Sequence, residues 1–245
     1  MAAPIIHSLT NPIVKKWVRL RTKHQARMEE KAVLVIGSTI IKELLLTHTP
    51  RLIMVREHGE APHNAPYYRV TDEVMEKITS LPMLPDWVAE FPLPTSSITT
   101  IDRLLVLDGI KDPGNLGTLL RTALAFNWQH VFLLGGSADP FAPKALQATK
   151  GACFHLTLHT GSLNQLHGLI KDHHLKVYRA DLNGAAPQSA DSSAPCALIL
   201  GGEVAGISPP LKTLGHALTL PMAHKSESLN VGVAGGILMY LLRRS

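Results

Sequence analysis

The hydrophobic pattern of the chain is most regular in its C-terminal two thirds, where short apolar runs alternate with segments of helical periodicity. Apolar runs of this length, bounded by turn residues, are typical of strands buried on both faces of a sheet. The alternation predicts an α/β domain with a parallel sheet covered by helices on both sides. The predicted strands are 104–110, 131–134, 154–158, 177–182, 197–200 and 217–220, and the predicted helices are 116–126, 143–150, 163–173, 209–214 and 230–242.

The first 80 residues or so show a less regular order. Their pattern predicts strands at 32–36 and 51–55 and helices at 39–46 and 71–79, the second helix starting on a Thr-Asp cap. These elements predict a small α+β module.

Residues 82–94 hold four prolines, and Thr-Ser-Ser follows them. Proline cannot continue a helix interior or a central strand, so we interpret this stretch as an interdomain linker. The predicted domains are therefore 1–95 and 96–245.

Composition excludes several classes of protein. No apolar run approaches the roughly 18 residues of a membrane helix, so we expect no membrane partner. Two cysteines are too few for a disulfide framework and fit a reducing compartment. The 13 histidines are scattered without paired-ligand spacing, so we expect no metal site. The P-loop, GxGxxG and GxSxG signatures are also missing from the sequence.

Positive charge is concentrated at the start of the chain. The net charge is +5, and the first 28 residues hold six lysines and arginines and no acid. Such a stretch is either an organelle-targeting peptide or a polyanion-binding face. Apolar residues at helical spacing behind Asn11-Pro12 favour a folded basic helix, and a phosphate backbone as its partner. The candidate RNA-binding residues are Lys15, Lys16, Arg19 and Arg21. We expect a cytoplasmic protein, with a mature organelle enzyme as the alternative.

Ligands of parallel sheets bind at the carboxyl ends of the strands, which directs attention to loops 108–117, 201–208 and 221–230. In the first loop Asn115 is a possible helix cap, and Arg121 is the only charge of the helix that follows. In the second loop Glu203 follows two glycines that allow a ligand to lie on the main chain.

The third loop leads into a helix that opens on Ser228-Leu229-Asn230 and contains Gly232, Gly235 and Gly236. Glycine costs helix stability, up to roughly 1 kcal/mol at each position. Two explanations remain open on these residues alone. Either another backbone or a flat ligand approaches the helix closely at the glycines, or the helix is buried in the core and the glycines make room for its neighbours there.

Together the three loops resemble the motifs of a known family. Asn115 with Arg121, then Leu-Gly-x-Glu-x-x-Gly-Ile-Ser at 200–208, then Leu-Pro-Met at 220–222 with Glu-Ser-Leu-Asn-Val at 227–231, resemble the SpoU (TrmH-type) RNA ribose 2'-O-methyltransferases. The N-terminal part is similar to the substrate-binding module of the ribosomal-RNA branch. The resemblance implies a trefoil-knotted (SPOUT-type) domain, S-adenosylmethionine as cofactor, a homodimer, and RNA as substrate, with ribosomal RNA favoured over transfer RNA.

The resemblance also implies roles for individual residues. Gly201, Leu220 and Leu229 match cofactor contacts. Arg121 matches the arginine of the methyl-transfer step; because a guanidinium holds its proton, we interpret it as an oxyanion or phosphate clamp. The residues expected to form the surrounding catalytic network are Asn115, Glu203, Ser228 and Asn230.

The chain departs from the family pattern at His224, where a glycine is usual, and at Gln147, where the pattern has an arginine. The first departure bears on the cofactor loop and the second on RNA contact. A transfer-RNA methyltransferase and a non-catalytic RNA-binding or ribosome-assembly protein on the same fold are the alternatives.

Overall fold

The computed structural model describes residues 4–63, 65–95, 100–223 and 228–244. The chain divides into two compact units, residues 1–94 with 141–151 and residues 95–140 with 152–245. The predicted boundary lies one residue from the boundary of these units, but segment 141–151 groups with the N-terminal unit. The division of function between domains stays a prediction.

The N-terminal unit is built on a five-stranded sheet. The strands are β1 (Ile5–Ile6), β2 (Ala32–Ile36), β3 (Leu52–Arg56), β4 (Tyr67–Val70) and β5 (Trp87–Pro92), and the helices are α1 (Pro12–Thr22), α2 (His24–Glu30), α3 (Ser38–Leu44), α4 (Asp72–Thr79) and α6 (Pro143–Thr149). The strands lie in the order β1-β4-β3-β5-β2. In the core, residues of α1 and α4 such as Trp17 and Ile78 cluster with buried residues of β2 and β3 such as Leu34 and Met54.

The predicted linker is wrong over residues 87–92. Strand β5 lies inside it and occupies an interior place in the sheet, antiparallel to both β2 and β3. The strand is compatible with its prolines because Pro92 is its last residue and Pro85 precedes it, which leaves the N–H groups between them free to pair.

The C-terminal unit contains a six-stranded sheet. The strands are β6 (Arg103–Asp108), β7 (His130–Leu134), β8 (Thr157–Gly161), β9 (Lys176–Ala185), β10 (Cys196–Gly201) and β11 (His216–Leu218), and the helices are α5 (Pro113–Ala125), α7 (Leu163–Asp172), α8 (Pro209–Lys212) and α9 (Val231–Leu241). The strands lie in the order β11-β9-β10-β6-β7-β8, and every pairing among them is parallel. This confirms the predicted α/β class with a parallel sheet. No helix among the described residues is long and apolar enough to span a membrane.

A pair of histidines sits at the β7–β8 edge of this sheet. His130 Nδ1 lies 3.3 Å from His159 Nε2, and the two rings stack with an angle of 12° between their planes. Burial lowers the pKa of both imidazoles, and the positive charge that His173 would carry lowers both further. In the folded protein both imidazoles therefore hold a proton less readily than an ordinary histidine does.

We expect this pair to make the folded protein acid-sensitive. Because both pKa values lie below that of an unfolded histidine, the unfolded chain takes up protons first, and the free energy of unfolding falls as the pH drops below about 6.5. Urea unfolding at several pH values measures this slope. We expect His159→Gln to flatten it, and the matched change of the exposed His167 on α7 to leave it unchanged. Equal slopes in all three proteins would contradict the assignment.

Candidate active site

A cleft of about 430 Å³ opens beside the second half of β9, the ends of β10 and β11, and the first turns of α9. Two of the three loops singled out from the sequence, 201–208 and 221–230, contribute to its walls. The walls are residues 180–182 on β9, 200–203 with 206 and 207 at and after the end of β10, 218–220 with 222 at and after the end of β11, and 228–231 with 234 and 238 at α9.

The loop after β10 is folded so tightly that it requires glycine. A Cβ on Gly201 would lie 2.5 Å from the Gly206 oxygen, and one on Gly202 would lie 2.6 Å from the Gly109 oxygen. Asp108, the last residue of β6, holds the loop from beneath. Its carboxylate accepts a hydrogen bond from Ser208 N at 2.6 Å, and its main-chain oxygen accepts one from Gly202 N at 2.9 Å. On this side the wall of the cleft is therefore formed by the main chain of Gly201 and Gly202, without side chains.

Asn115, Glu203 and Asn230 meet at the side of the cleft, although they are far apart in the chain. Asn115 Nδ2 donates to Glu203 Oε1. Asn230 Nδ2 donates to Asn115 Oδ1 at 3.0 Å and to Glu203 Oε1 at 3.3 Å. The carboxylate is therefore held by two amide groups; Glu203 and Asn230 are exposed, and Asn115 is half-buried. This arrangement can orient a polar group of a ligand that enters the cleft.

The structure corrects the capping role considered for Asn115. The N-cap of α5 is Asp112, whose carboxylate accepts a hydrogen bond from Asn115 N at 2.8 Å. Pro113 takes the first helical position, as is favourable for proline. Asn115 is thus the third residue of the helix, and its side chain is free to contact Glu203. Asn230 does cap α9, since its Oδ1 accepts from Gly232 N at 2.9 Å.

The remaining candidate residues fall into two groups. Gly201, Leu220, Leu229 and Ser228 all line the cleft. Arg121 does not line it, and its exposed side chain has no hydrogen bond to the amide network among the residues that the structure describes. The structure therefore brings together every cofactor and catalytic candidate except Arg121.

Two of the three glycines of α9 are explained by packing within the chain. A Cβ on Gly235 would lie 2.5 Å from Leu119 of α5 and 2.6 Å from Leu200 of β10. A Cβ on Gly232 would lie 3.2 Å from Thr118 of α5, which is a tight contact. These close neighbours are side chains of the same chain, which favours the core-helix explanation over a flat ligand for both positions. A Cβ on Gly236 would lie 3.5 Å from Thr122, an ordinary contact, so packing does not require glycine there.

The predicted basic helix is confirmed as a folded element, capped by Asn11, whose side chain accepts from Ile13 N at 2.9 Å. Two of its four candidate RNA contacts serve the fold. Lys16 Nζ lies 2.6 Å from the buried Glu90 carboxylate, and Arg21 donates to Thr79 O at 2.9 Å. Lys15 and Arg19 are exposed on the surface, Arg19 next to Glu29 at 3.3 Å. All four stay predictions as RNA contacts.

The described residues form neither a metal-binding cluster nor a site with a reactive thiol. No cluster of three histidine, cysteine or acidic side chains among them has the geometry to hold a metal ion. Both cysteines are buried, and burial raises the pKa of Cys196 to about 11, so that its thiol is neutral at physiological pH. Of the two departures from the family pattern, Gln147 is exposed on α6, and His224 lies outside the described residues.

Residues 102–240 match the model of the SpoU rRNA Methylase family. The matched segment covers more than half of the 245 residues and contains all the residues of the cleft. The chain belongs to this family.

Similarity to individual SpoU-family proteins extends over almost the full length. The chain is 32% identical to the 23S rRNA (guanosine(2553)-2'-O)-methyltransferase RlmP of Bacillus subtilis, over 97% of this chain and 98% of that protein. Among solved structures, an AdoMet-bound rRNA methyltransferase from Sinorhizobium meliloti superposes with a TM-score of 0.84 at 26% identity, covering 98% and 97% of the two chains. A TrmH-family structure from Porphyromonas gingivalis superposes with a TM-score of 0.83 at 31% identity, covering 96% and 98%.

Three acidic residues of this SpoU-family protein escaped the sequence analysis. Asp108 anchors the glycine loop, Asp112 caps α5, and Asp181 lines the cleft from β9. Asp108 and Asp112 lie in the first loop, but their carboxylates bind main-chain N–H groups, which sequence does not reveal. Asp181 lies inside β9, so the rule that places ligands at the loops after the strands does not point to it.

Proposed function

We propose that this SpoU-family protein transfers a methyl group from S-adenosylmethionine to a ribose 2'-hydroxyl of structured RNA, with ribosomal RNA as the substrate. The observation that carries the proposal is the Asn115–Glu203–Asn230 network at the side of a cleft lined by Gly201 and Leu229. Similarity to RlmP over nearly the whole chain supports ribosomal rather than transfer RNA.

The residues of the cleft fit S-adenosylmethionine. The bare main chain at Gly201 and Gly202 leaves room for a ligand and offers it main-chain polar groups, while Leu220, Met222 and Leu229 supply an apolar surface for an adenine ring. When bound, the cofactor supplies a methyl group on a sulfonium, ready for attack by an oxygen nucleophile.

The protein's part in the reaction is to orient the ribose and to stabilise charge. A 2'-hydroxyl is a poor nucleophile, so its proton must leave or its developing charge must be stabilised. Asn115, Glu203, Asn230 and Ser228 would hold the ribose end of the substrate in place. Arg121, which keeps its proton, would act as the clamp for the oxyanion or a neighbouring phosphate.

The finer architecture is also part of the proposal. We infer a trefoil-knotted chain path and a homodimer in which α9 lies at the interface. Supporting the dimer, α9 is capped and held by α5 on one side, yet it exposes an apolar stripe at helical spacing. Val233, Ile237, Tyr240 and Leu241 are 51, 40, 47 and 39% exposed.

A charge in this stripe should disrupt the dimer. We expect Ile237→Asp to shift the protein toward monomer, because burying an unpaired carboxylate in an apolar interface costs several kcal/mol. Analytical ultracentrifugation measures the shift. The matched control is Leu46→Asp, a change of an exposed leucine just after α3 in the N-terminal unit, which should leave the sedimentation unchanged. A wild-type monomer, or a dimer that survives Ile237→Asp, would contradict the assigned interface.

We propose that the N-terminal unit binds RNA through the exposed cations of α1. Lys15 and Arg19 are placed for phosphate contact, whereas Lys16 also neutralises the buried Glu90. RNA affinity should therefore fall with rising salt. We expect Lys15→Ala to weaken it without unfolding the unit.

Titration calorimetry with S-adenosylmethionine tests the proposed function. Binding near one molecule per subunit is the expected result. A folded protein that fails to bind the cofactor, also with ribosomal RNA present, would favour the non-catalytic RNA-binding alternative.

A further inference from the structure

The ionisable groups in the described wall of the cleft are two acids, Asp181 and Glu203, and no cation. The Glu203 carboxylate is already engaged by the amides of Asn115 and Asn230. Asp181 Oδ1 accepts one hydrogen bond, from Asn183 N at 3.1 Å. Its second oxygen, Oδ2, has no hydrogen-bond or ion-pair partner among the described residues. Asp181 is therefore the carboxylate with capacity for a ligand.

The strand that carries Asp181 is fixed against its neighbour. Thr219 donates its main-chain N–H to Ala185 O at 2.9 Å and its hydroxyl to Leu182 O at 3.1 Å. A Cβ on Gly184 would lie 2.7 Å from the Ala217 oxygen, so the two backbones pack as closely as glycine allows. The main chain that carries Asp181 is thus fixed in the cleft wall before any ligand arrives, which lowers the entropy cost of binding.

The sign of charge in the cleft is opposite to that of the whole protein. The chain carries a net charge of +5, whereas the two acids give the described wall of the cleft a charge of about −2 at neutral pH. Such a wall favours a cationic ligand over a neutral or anionic one. S-adenosylmethionine carries a sulfonium and an ammonium against a single carboxylate, so its amino-acid end has the matching charge.

We propose that Asp181 determines the cofactor specificity of the cleft by binding a positive group, sulfonium or ammonium, at the amino-acid end of S-adenosylmethionine. The inference rests on the proposed function and adds a residue to it. The part of the wall proposed to contact the neutral adenosine end consists of apolar side chains and main-chain groups. Selectivity for a positive charge would therefore come from the Asp181 side chain.

Three probes separate the contributions of charge. S-adenosylmethionine carries both positive groups, S-adenosylhomocysteine keeps only the ammonium, and 5'-methylthioadenosine carries neither. Their dissociation constants are measured by calorimetry on the full-length wild type, on Asp181→Asn, and on Asp172→Asn. The last is the matched control, because Asp172 is an exposed carboxylate at the end of α7 and its loss changes the net charge equally.

We expect Asp181→Asn to weaken S-adenosylmethionine about tenfold, as the loss of a charge-assisted hydrogen bond does, and to leave 5'-methylthioadenosine unchanged. Asp172→Asn should change neither. If S-adenosylhomocysteine weakens in parallel, the ammonium is the group bound; if it does not, the sulfonium is. Both patterns support the proposal.

The proposal is overturned if Asp181→Asn weakens all three probes equally, which is the signature of a purely structural role, or if it changes none of them. The ratio of two affinities on the same protein sample is independent of the folded fraction, so partial misfolding cannot imitate the expected result. Failure of the wild type to bind S-adenosylmethionine would instead overturn the proposed function, and this inference with it.

Discussion

Gly201→Ala is expected to weaken cofactor binding strongly. The added Cβ would meet the main chain of Gly206 and Ile207, and backbone atoms cannot turn aside as a side-chain end can. Overpacking of this kind typically costs about 1–3 kcal/mol, which corresponds to a loss of about five- to 150-fold in affinity if the loop moves to relieve it. Calorimetry with S-adenosylmethionine measures the loss, and thermal unfolding measures the part that appears as lower stability.

Gly168→Ala is the matched control for this substitution. Gly168 lies inside α7 of the same unit, and a Cβ there would meet nothing within 4 Å. Alanine should leave cofactor affinity unchanged and raise the free energy of unfolding by about 0.4–1 kcal/mol, because it restricts the unfolded chain. Cofactor affinity in Gly201→Ala equal to that of the wild type would show that the glycine loop is not a wall of the binding site.

Arg121→Ala is expected to lower methyl transfer by about 10² to 10³ while cofactor affinity is retained. Losses of that size follow removal of one preorganised group that stabilises developing charge. We expect the rate to fall without a loss of cofactor affinity because Arg121 does not line the cleft. Single-turnover methylation of ribosomal RNA measures the rate, and calorimetry measures cofactor binding.

Two further variants sharpen this test. Arg121→Lys keeps the charge but loses the planar fork of donors, so a clamp for phosphate or oxyanion should be rescued only in part. Lys171→Ala removes an exposed cation of α7 and should leave the rate unchanged. Undiminished turnover of Arg121→Ala would defeat the role assigned to the arginine.

Local signals in the sequence predicted local structure well. The cap at Asn11 and the cap at Thr71 lie where the sequence placed them, because each depends on residues within one helical turn. Strand β8 was placed three residues too early. The apolar residues 152–154 are buried in a 3₁₀ turn ahead of the strand, and burial alone does not distinguish the two.

Errors arose where distant partners decide the outcome. Proline content argued against β5, yet its pairing with β2 and β3 makes it an interior strand. Strand β9 extends through polar residues to Ala185 because β11 pairs along it.

The candidate site could not be assembled from periodicity at all. Asn115 and Glu203 are 88 positions apart, and Asn115 and Asn230 are 115 apart. Only the family resemblance placed them in one network. That resemblance could not show that Asp112 caps α5 in place of Asn115, or that Asp181 faces the cleft, since both depend on side-chain contacts particular to this chain.

The most direct test of the central claim is the chemical identity of the methylated product. Unmodified ribosomal RNA is incubated with the protein and S-adenosylmethionine labelled in its methyl group, and the RNA is then digested to nucleosides. Label in a single 2'-O-methylnucleoside, absent when Asn230→Ala replaces the wild type, is the result that we predict. Label on a base, or none in RNA from a protein that binds the cofactor, would contradict a ribose 2'-O-methyltransferase.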